Sequence, residues 1–460
     1  MYNQKSHMKS INPATGKTIK TYKTYSEKGV KKIINSVDKT WHHWRSTSFM
    51  YRSQLMQNLS GLLKSKKVEL AQLMALEMGK VKKEGFAEVE KCAWVCDYYA
   101  QNAELFLENE TIPTEAFRSF VTYQPIGTVL AVMPWNFPFW QVFRFAAPTL
   151  MAGNTAVLKH ASNVPGCALA IEELFREAGF PENVFRTLLI GSNQVGNVIK
   201  HAAVKAVSLT GSTPAGKSVA SIAGSELKKC VLELGGSDPY VILKDANLED
   251  AAFKCSAARL LNAGQSCIAA KRFIVVNEVY SEFLEYFTCE MNKANFGDPF
   301  DEETTMGPMA RVDLRDELHR QVLDSIKKGA EVILGGEIPL KKGAFYPPTI
   351  LENIKPGMPA YDEELFGPVA SVIRVDDAKE AIKVANDTEF GLGAAIFTGD
   401  LKRGENLMEI QMDAGCCFVN DFVKSDPRLP FGGIKESGYG RELASHGIKE
   451  FMNVKTVVVN

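Results

Sequence analysis

Among nine cysteines, Cys267 is set apart by its surroundings. It follows Asn262, Gly264, Gln265 and Ser266 in LLNAGQSCIAAKRF, where an apolar helical pattern gives way to small and polar residues. A nucleophilic thiol needs a partly open position that favours thiolate. Cys230 and Cys255, by contrast, sit among apolar neighbours as packed cysteines do. Glu233, in CVLELGGSDP, lies between Leu232 and Leu234 just before Gly235–Gly236. A carboxylate in an apolar strand is costly to bury unless it is used or paired. Burial would raise its pKa towards that of a general base near neutral pH. The other reading is a salt-bridged or outward-facing Glu on an edge strand, and the pattern does not choose between them. Asn136 is framed by Pro134 and Pro138 in VMPWNFPFW. A rigidly held amide can donate to a developing oxyanion, although Asn also serves turns for structural reasons. In AVSLTGSTPAGKS a strand leads through Gly211, Ser212 and Thr213 into a helix. A helix N-terminus beside glycines suits a dinucleotide pyrophosphate. Gly211 and Gly216 are five residues apart and do not make GxGxxG, so the motif is suggestive only.

These four loops need rigid elements to aim them. From about Ser26 to Leu107 apolar residues recur at helical spacing among charges. SFVTYQPIGTVLAVMPW is rich in β-branched and aromatic residues and reads as strands, including a hairpin about Pro125–Gly127. Alternation follows. TAVLKH, VFRTLLIG, AVSLTG and KKCVLELGG read as strands separated by helices, which predicts a parallel sheet covered on both faces. A second alternating series runs from PYVILKDA through RFIVVNEV to VASVIRVD. The closing HGIKEFMNVKTVVVN ends in a β-rich stretch that needs a partner strand, and another subunit is one source.

Composition narrows the function classes. A 460-residue chain accommodates two or three domains. Its formal net charge of −1 gives no footprint for nucleic acid or an anionic membrane. No run of apolar residues is long enough to span a bilayer, and MYNQKSHMKSINPATGK lacks the apolar centre of a signal peptide. A cytoplasmic protein is expected. An odd number of irregularly spaced cysteines argues against a disulfide framework. Cys92 and Cys96, one helical turn apart, lack further Cys or His ligands, so no metal site is expected. Cys416 and Cys417 read as part of a buried strand.

Taken together the loops resemble the aldehyde dehydrogenase family, with matching blocks from Ile11 to Glu442. They are PWNFP (134–138), TAVLKHA (155–161), TGST (210–213), LELGG (232–236), GQSC (264–267), ELFGPV (364–369) and PFGGIKESGYGRE (430–442). The resemblance implies an aldehyde-dehydrogenase-like α/β fold. A Rossmann-type cofactor domain would take residues 1–106 and 126–235, and an α/β catalytic domain residues 236–442. Residues 107–125 and 443–460 would form a β-rich oligomerisation arm of a homodimer or homotetramer. It implies that Cys267 attacks a small-molecule aldehyde, that the Asn136 amide and the Cys267 backbone N–H hold the oxyanion, and that Glu233 activates the water that hydrolyses the thioester. Trp135, Gly211 and Ser212 would line the cofactor site, Glu364 and Phe366 would hold its nicotinamide end, and Lys159 would reach the adenosine ribose. In NAD-preferring members a Glu often stands three residues after that lysine. Here it is Ser162, which removes a charge that would repel a 2′-phosphate, so NADP is expected, with NAD as the alternative.

CVLELGGSDP, CIAAKRF and GPMARVDLRDEL are also similar to short bacterial succinate-semialdehyde dehydrogenases. In such members an arginine stands eight residues beyond the PWNFP asparagine, and here Arg144 does. A guanidinium facing the pocket suits a substrate carboxylate; the alternative is a surface arginine paired with a neighbouring acid. Ser425 matches a serine that helps bind the same carboxylate, and Arg272 and Arg428 are further contacts to consider. Ala269 stands where some relatives carry a second cysteine, so no disulfide switch is expected beside Cys267. The rival readings are a dehydrogenase of another semialdehyde or a general aldehyde, a coenzyme A-acylating enzyme (against which Glu233 argues), and a non-catalytic protein on the same fold.

Overall fold

A computed structural model describes residues 7–460; residues 1–6 of the expected cofactor-domain segment lie outside the described residues. Four amphipathic helices, Glu27–Trp44, Phe49–Ser65, Lys67–Met78 and Lys82–Phe106, fill the region read as helical. The first two start where Ser26 and Ser48 accept hydrogen bonds from the backbone N–H of Gly29 and Tyr51, satisfying donors that a helix start leaves orphaned.

The strands Lys229–Glu233, Val204–Thr210, Thr128–Met133, Thr155–His160 and Phe185–Thr187 lie side by side in that order, all parallel. Their apolar runs are buried on both faces, as a helix-covered parallel sheet requires. Thr128–Met133 comes first in the chain, and later strands build outwards on either side of it. The order therefore reverses between Thr128–Met133 and Val204–Thr210, which opens a crevice at their C-terminal ends. Gly438–Tyr439, inside the segment read as catalytic domain, pairs antiparallel with Leu232–Glu233 and adds an edge to this sheet.

A second sheet has seven strands, Glu331–Leu334, Thr349–Glu352, Val369–Val375, Ala270–Val276, Asp238–Ile242, Gly393–Phe397 and Cys416–Val419. All its pairs are parallel except the first. Cys416–Val419 is an edge strand, so Cys417 is exposed rather than buried as expected.

The expected hairpin is absent. Arg118–Pro125 and Thr128–Met133 join different sheets, and Pro125–Gly127 is the crossing between them. Arg118–Pro125 pairs instead with Met452–Val459 along its whole length, and with Glu110–Thr111 on its other side. The closing strand thus finds its partner within the chain, and its outer edge stays open. Asn154 fastens this arm to the first sheet: its Oδ1 accepts from the N–H of Ile126 and Gly127, and its Nδ2 donates to the carbonyl of Phe451. Among the described residues no helix is long and apolar enough to cross a membrane.

Candidate active site

The helix Leu248–Leu260 runs towards the cysteine loop and stops at Leu261. Asn262, Ala263 and Gly264 then adopt left-handed φ of 56°, 54° and 71°. Two consecutive non-glycine residues there are strained and persist only where the surroundings over-determine them. The Asn262 backbone N–H donates to Glu84, and its side-chain amide donates to the carbonyls of Asn136 (2.8 Å) and Gln265 (3.1 Å). The Gln265 amide donates to the carbonyl of Asn262 and accepts from the N–H of Ala310. Gly264 packs so closely that a Cβ would lie 2.3 Å from the Gly367 carbonyl. Lys271 donates to the carbonyls of Ser266 (3.1 Å) and Cys267 (2.8 Å). Gln265 and Ser266 are buried by this bracing, and Cys267 emerges half-buried at its end. The Cys267 backbone N–H makes no hydrogen bond among the described residues. Burial pushes its thiol up to about 12, against the opposing charges of Arg144 and Lys271.

Asn136 leaves the strand Thr128–Met133 on the two-proline loop and meets the cysteine loop directly. One amide N–H donates to the Gln265 carbonyl (3.1 Å), leaving the other free. Two residues absent from the sequence reading hold this loop. Glu88, buried beside Lys80, accepts from the N–H of Phe139 (2.8 Å) and Trp140 (3.0 Å) at the start of the helix Trp140–Met151. His160 lies 2.8 Å from the Pro138 carbonyl through Nε2, while its Nδ1 accepts from the N–H of Ala161. Its Nδ1 also lies 3.2 Å from the Met133 carbonyl, and burial pulls its pKa down to about 4, so the ring is neutral.

Glu233 ends the strand Lys229–Glu233 and is only 2% exposed, yet neither carboxylate oxygen has a hydrogen-bond partner among the described residues. Burial holds its pKa well above the usual carboxylate range; Arg144 opposes this and the neighbouring Glu442 adds to it. A carboxyl whose pKa is raised by burial moves towards the range in which it can take a proton from a reacting water and return it.

The cofactor candidates gather at the C-terminal margin of the first sheet. Lys159 closes one strand as a half-buried ammonium with no ion-pair partner among the described residues, its pKa lowered by burial. Ser162 follows, exposed. Gly211 and Ser212 form the turn into the thirteen-residue helix Thr213–Ser225, and the Ser212 side chain makes no cap bond, so helix N–H groups remain for an anion. Trp135 and Phe366 meet edge to face at 5.9 Å. Glu364 accepts from the N–H of Gly236 (3.1 Å) and lies 3.3 Å from Lys271. These donors, an unpaired ammonium and an aromatic pair fit a phosphorylated dinucleotide.

The model of the aldehyde dehydrogenase family matches residues 1–457. The chain belongs to the aldehyde dehydrogenase family. It is 49% identical over 448 residues, 97% of this chain and 98% of the other, to a protein of Synechocystis sp. named probable succinate-semialdehyde dehydrogenase, NADP(+). It is 44% identical over 452 residues, 98% of each chain, to Escherichia coli (strain K12) succinate semialdehyde dehydrogenase Sad, named for NAD(P)+. The crystal structure of succinic semialdehyde dehydrogenase from Streptococcus pyogenes with NADP+ superimposes with a TM-score of 0.96 at 37% identity, covering 98% of this chain and 99% of that one.

The substrate side of this aldehyde dehydrogenase differs from expectation at two arginines. Arg144 is buried within the helix Trp140–Met151, not on the surface, but its charge is already paired with Glu442, and its guanidinium lies over Phe431 at 4.6 Å. Arg272 is a correction. It is fully buried, and its guanidinium donates to the carbonyls of Ser237 (3.1 Å), Val384 (2.9 Å) and Ala385 (2.9 Å), so it caps the helix Ala378–Asn386 and leaves the substrate side to other groups. Arg428 is exposed and paired with Asp426. Ser425 is buried and accepts a hydrogen bond from Lys91, a residue the sequence reading passed over.

Proposed function

We propose that the protein oxidises succinate semialdehyde to succinate with NADP, using NAD less well. The chemistry rests above all on Glu233, a buried carboxyl with no partner, on the same site as a half-buried cysteine whose N–H is free. The Cys267 thiol adds across the aldehyde C=O, its sulfur bonding to carbon and its proton passing in the end to the oxygen, to form a thiohemiacetal. The free N–H of the Asn136 amide and the Cys267 backbone N–H hold the oxyanion. A nicotinamide bound there would supply the hydride acceptor needed for oxidation of this adduct to the thioester. Glu233 then takes a proton from the water that hydrolyses it, completing one oxidation in two easier steps. Lys159, Ser162, Gly211 and Ser212 would hold the phosphates and adenosine; Trp135, Glu364 and Phe366 would receive the nicotinamide end. The absence of an acidic side chain at Ser162 supports NADP.

The names of the full-length relatives support the substrate, and we assign its carboxylate to the end of the pocket where Arg144 and Ser425 stand. Residues 1–106 and 126–235 serve the cofactor and 236–442 the chemistry. The arm of residues 107–125 and 443–460, with its open apolar edge, joins subunits of a homodimer or homotetramer. Nine free cysteines fit a reducing cytoplasm. Turnover with succinate semialdehyde and with butanal, each with NADP and NAD, tests the assignment. Preference for butanal would refute the substrate, and turnover with NAD alone would refute the cofactor.

A further inference from the structure

We infer that Lys91 is the cation that selects a carboxylate-bearing aldehyde in this pocket, with the Ser425 hydroxyl as its companion donor. The inference rests on the substrate class proposed above and assigns its recognition to a residue outside the matching blocks. Lys91 belongs to the helix Lys82–Phe106 and follows Glu84 and Glu88 along one face, at spacings of four and three residues. Those two acids hold the catalytic loops, Glu84 at Asn262 and Glu88 at Phe139 and Trp140. The same face therefore carries Lys91 to the next level of the site, where its ammonium stands 4.4 Å from the centre of the Trp140 ring.

The charges around it are unbalanced. Lys80 is paired with Glu88, and Arg144 with Glu442. Asp426, adjacent to Ser425, is turned to Arg428. Among these cations Lys91 alone has no carboxylate partner. Its Nζ donates to Ser425 Oγ at 2.8 Å. An ammonium has three N–H groups, so donors remain, and a hydroxyl that accepts from Lys91 keeps its own O–H to give. Two donors thus converge without an acceptor in a mostly buried place, the arrangement a carboxylate completes. Burial and the charge of Arg144 lower the Lys91 pKa to about 8, against the opposing charges of Asp426 and Glu88. The charge of Arg144 bears on both the Lys91 ammonium and the Cys267 thiol, so one cation lies within electrostatic reach of each.

The test compares kcat/KM for succinate semialdehyde and butanal in wild type, Lys91→Met and Ser425→Ala, with NADP binding measured separately as a check of folding. In wild type succinate semialdehyde is preferred. In Lys91→Met the preference ratio falls by roughly 10- to 100-fold, mainly through KM, and inhibition by succinate weakens in parallel. Ser425→Ala moves the ratio the same way by less and carries the test if Lys91→Met does not fold. A wild type without preference overturns the substrate reading and this inference with it. A wild type with preference, retained in both variants or in the folded Lys91→Met, overturns the inference alone.

Discussion

In the second sheet and the helix before its central strands, Arg259 and Arg272 are fully buried, and their guanidinium groups donate to backbone carbonyls at Gly264, Val369, Ser237, Val384 and Ala385. Near the first sheet Glu233 is buried almost as deeply and Lys91 is half-buried, yet the carboxyl has no hydrogen-bond partner and the ammonium no carboxylate partner among the described residues. Both regions carry the desolvation cost of buried charge. In the second it is offset within the chain, and the arginines act as braces that fix the cysteine loop and a helix end. In the first the compensation is left open to whatever enters. On the roles proposed above, incomplete satisfaction, more than burial or charge, separates the groups that work from those that support.

This contrast gives variants of graded effect. Cys267→Ala is expected to lower turnover by several orders of magnitude while leaving NADP binding, followed by fluorescence titration, near wild type. Loss of both together would mean that the loop, not the thiol, had been removed. Glu233→Gln should cost roughly 100- to 10,000-fold in steady-state turnover. A single burst of NADPH per active site should survive, because the thioester forms but its hydrolysis stalls. Since burial raises the Glu233 pKa, the deprotonated base grows with rising pH, so wild-type turnover climbs on its alkaline side and the Gln variant loses that dependence. Arg272→Met leaves three carbonyls without their donor and should lower stability by about 3 kcal/mol in chemical denaturation, with kcat at low temperature largely kept. A selective rise in KM for succinate semialdehyde would return Arg272 to the substrate pocket. The smallest effect is at the cofactor: Ser162→Glu should weaken NADP binding by roughly tenfold and spare NAD, as a carboxylate beside the 2′-phosphate would.

The sequence made the loops legible because each breaks its surroundings. A polar run interrupts a helix at Cys267, a lone acid interrupts an apolar strand at Glu233, and two prolines bracket Asn136. The parallel sheets were equally readable from long β-branched runs alternating with helices. Thr349–Glu352 and Gly393–Phe397 were missed, being short and without alternation. The hairpin was misread because Pro-Ile-Gly marks a turn of the chain without saying which sheet each strand joins. Lys91 was hidden among the other charges of its helix; only its place one turn beyond Glu88 distinguishes it. No local pattern shows that Arg144 meets Glu442, since that pair joins distant parts of the chain. Arg272 left one usable sign, a cation at the head of the apolar AKRFIVV, which predicts a buried donor in search of carbonyls.

The tail segment that supplies Glu442 is expected to set when the site can be completed during synthesis. A nascent chain that has completed both Cys267 and Glu233 still lacks Ser425, the Gly438–Tyr439 edge and the counter-ion of Arg144. Until these arrive, Arg144 is a cation without a partner inside an apolar helix, and the first sheet has reason not to close. In chain order the thiol comes early, and the groups that pack around it come late. A chain interrupted before Glu442 is expected to be recognisably unfinished to the cell's proteases rather than a loose, partly active dehydrogenase.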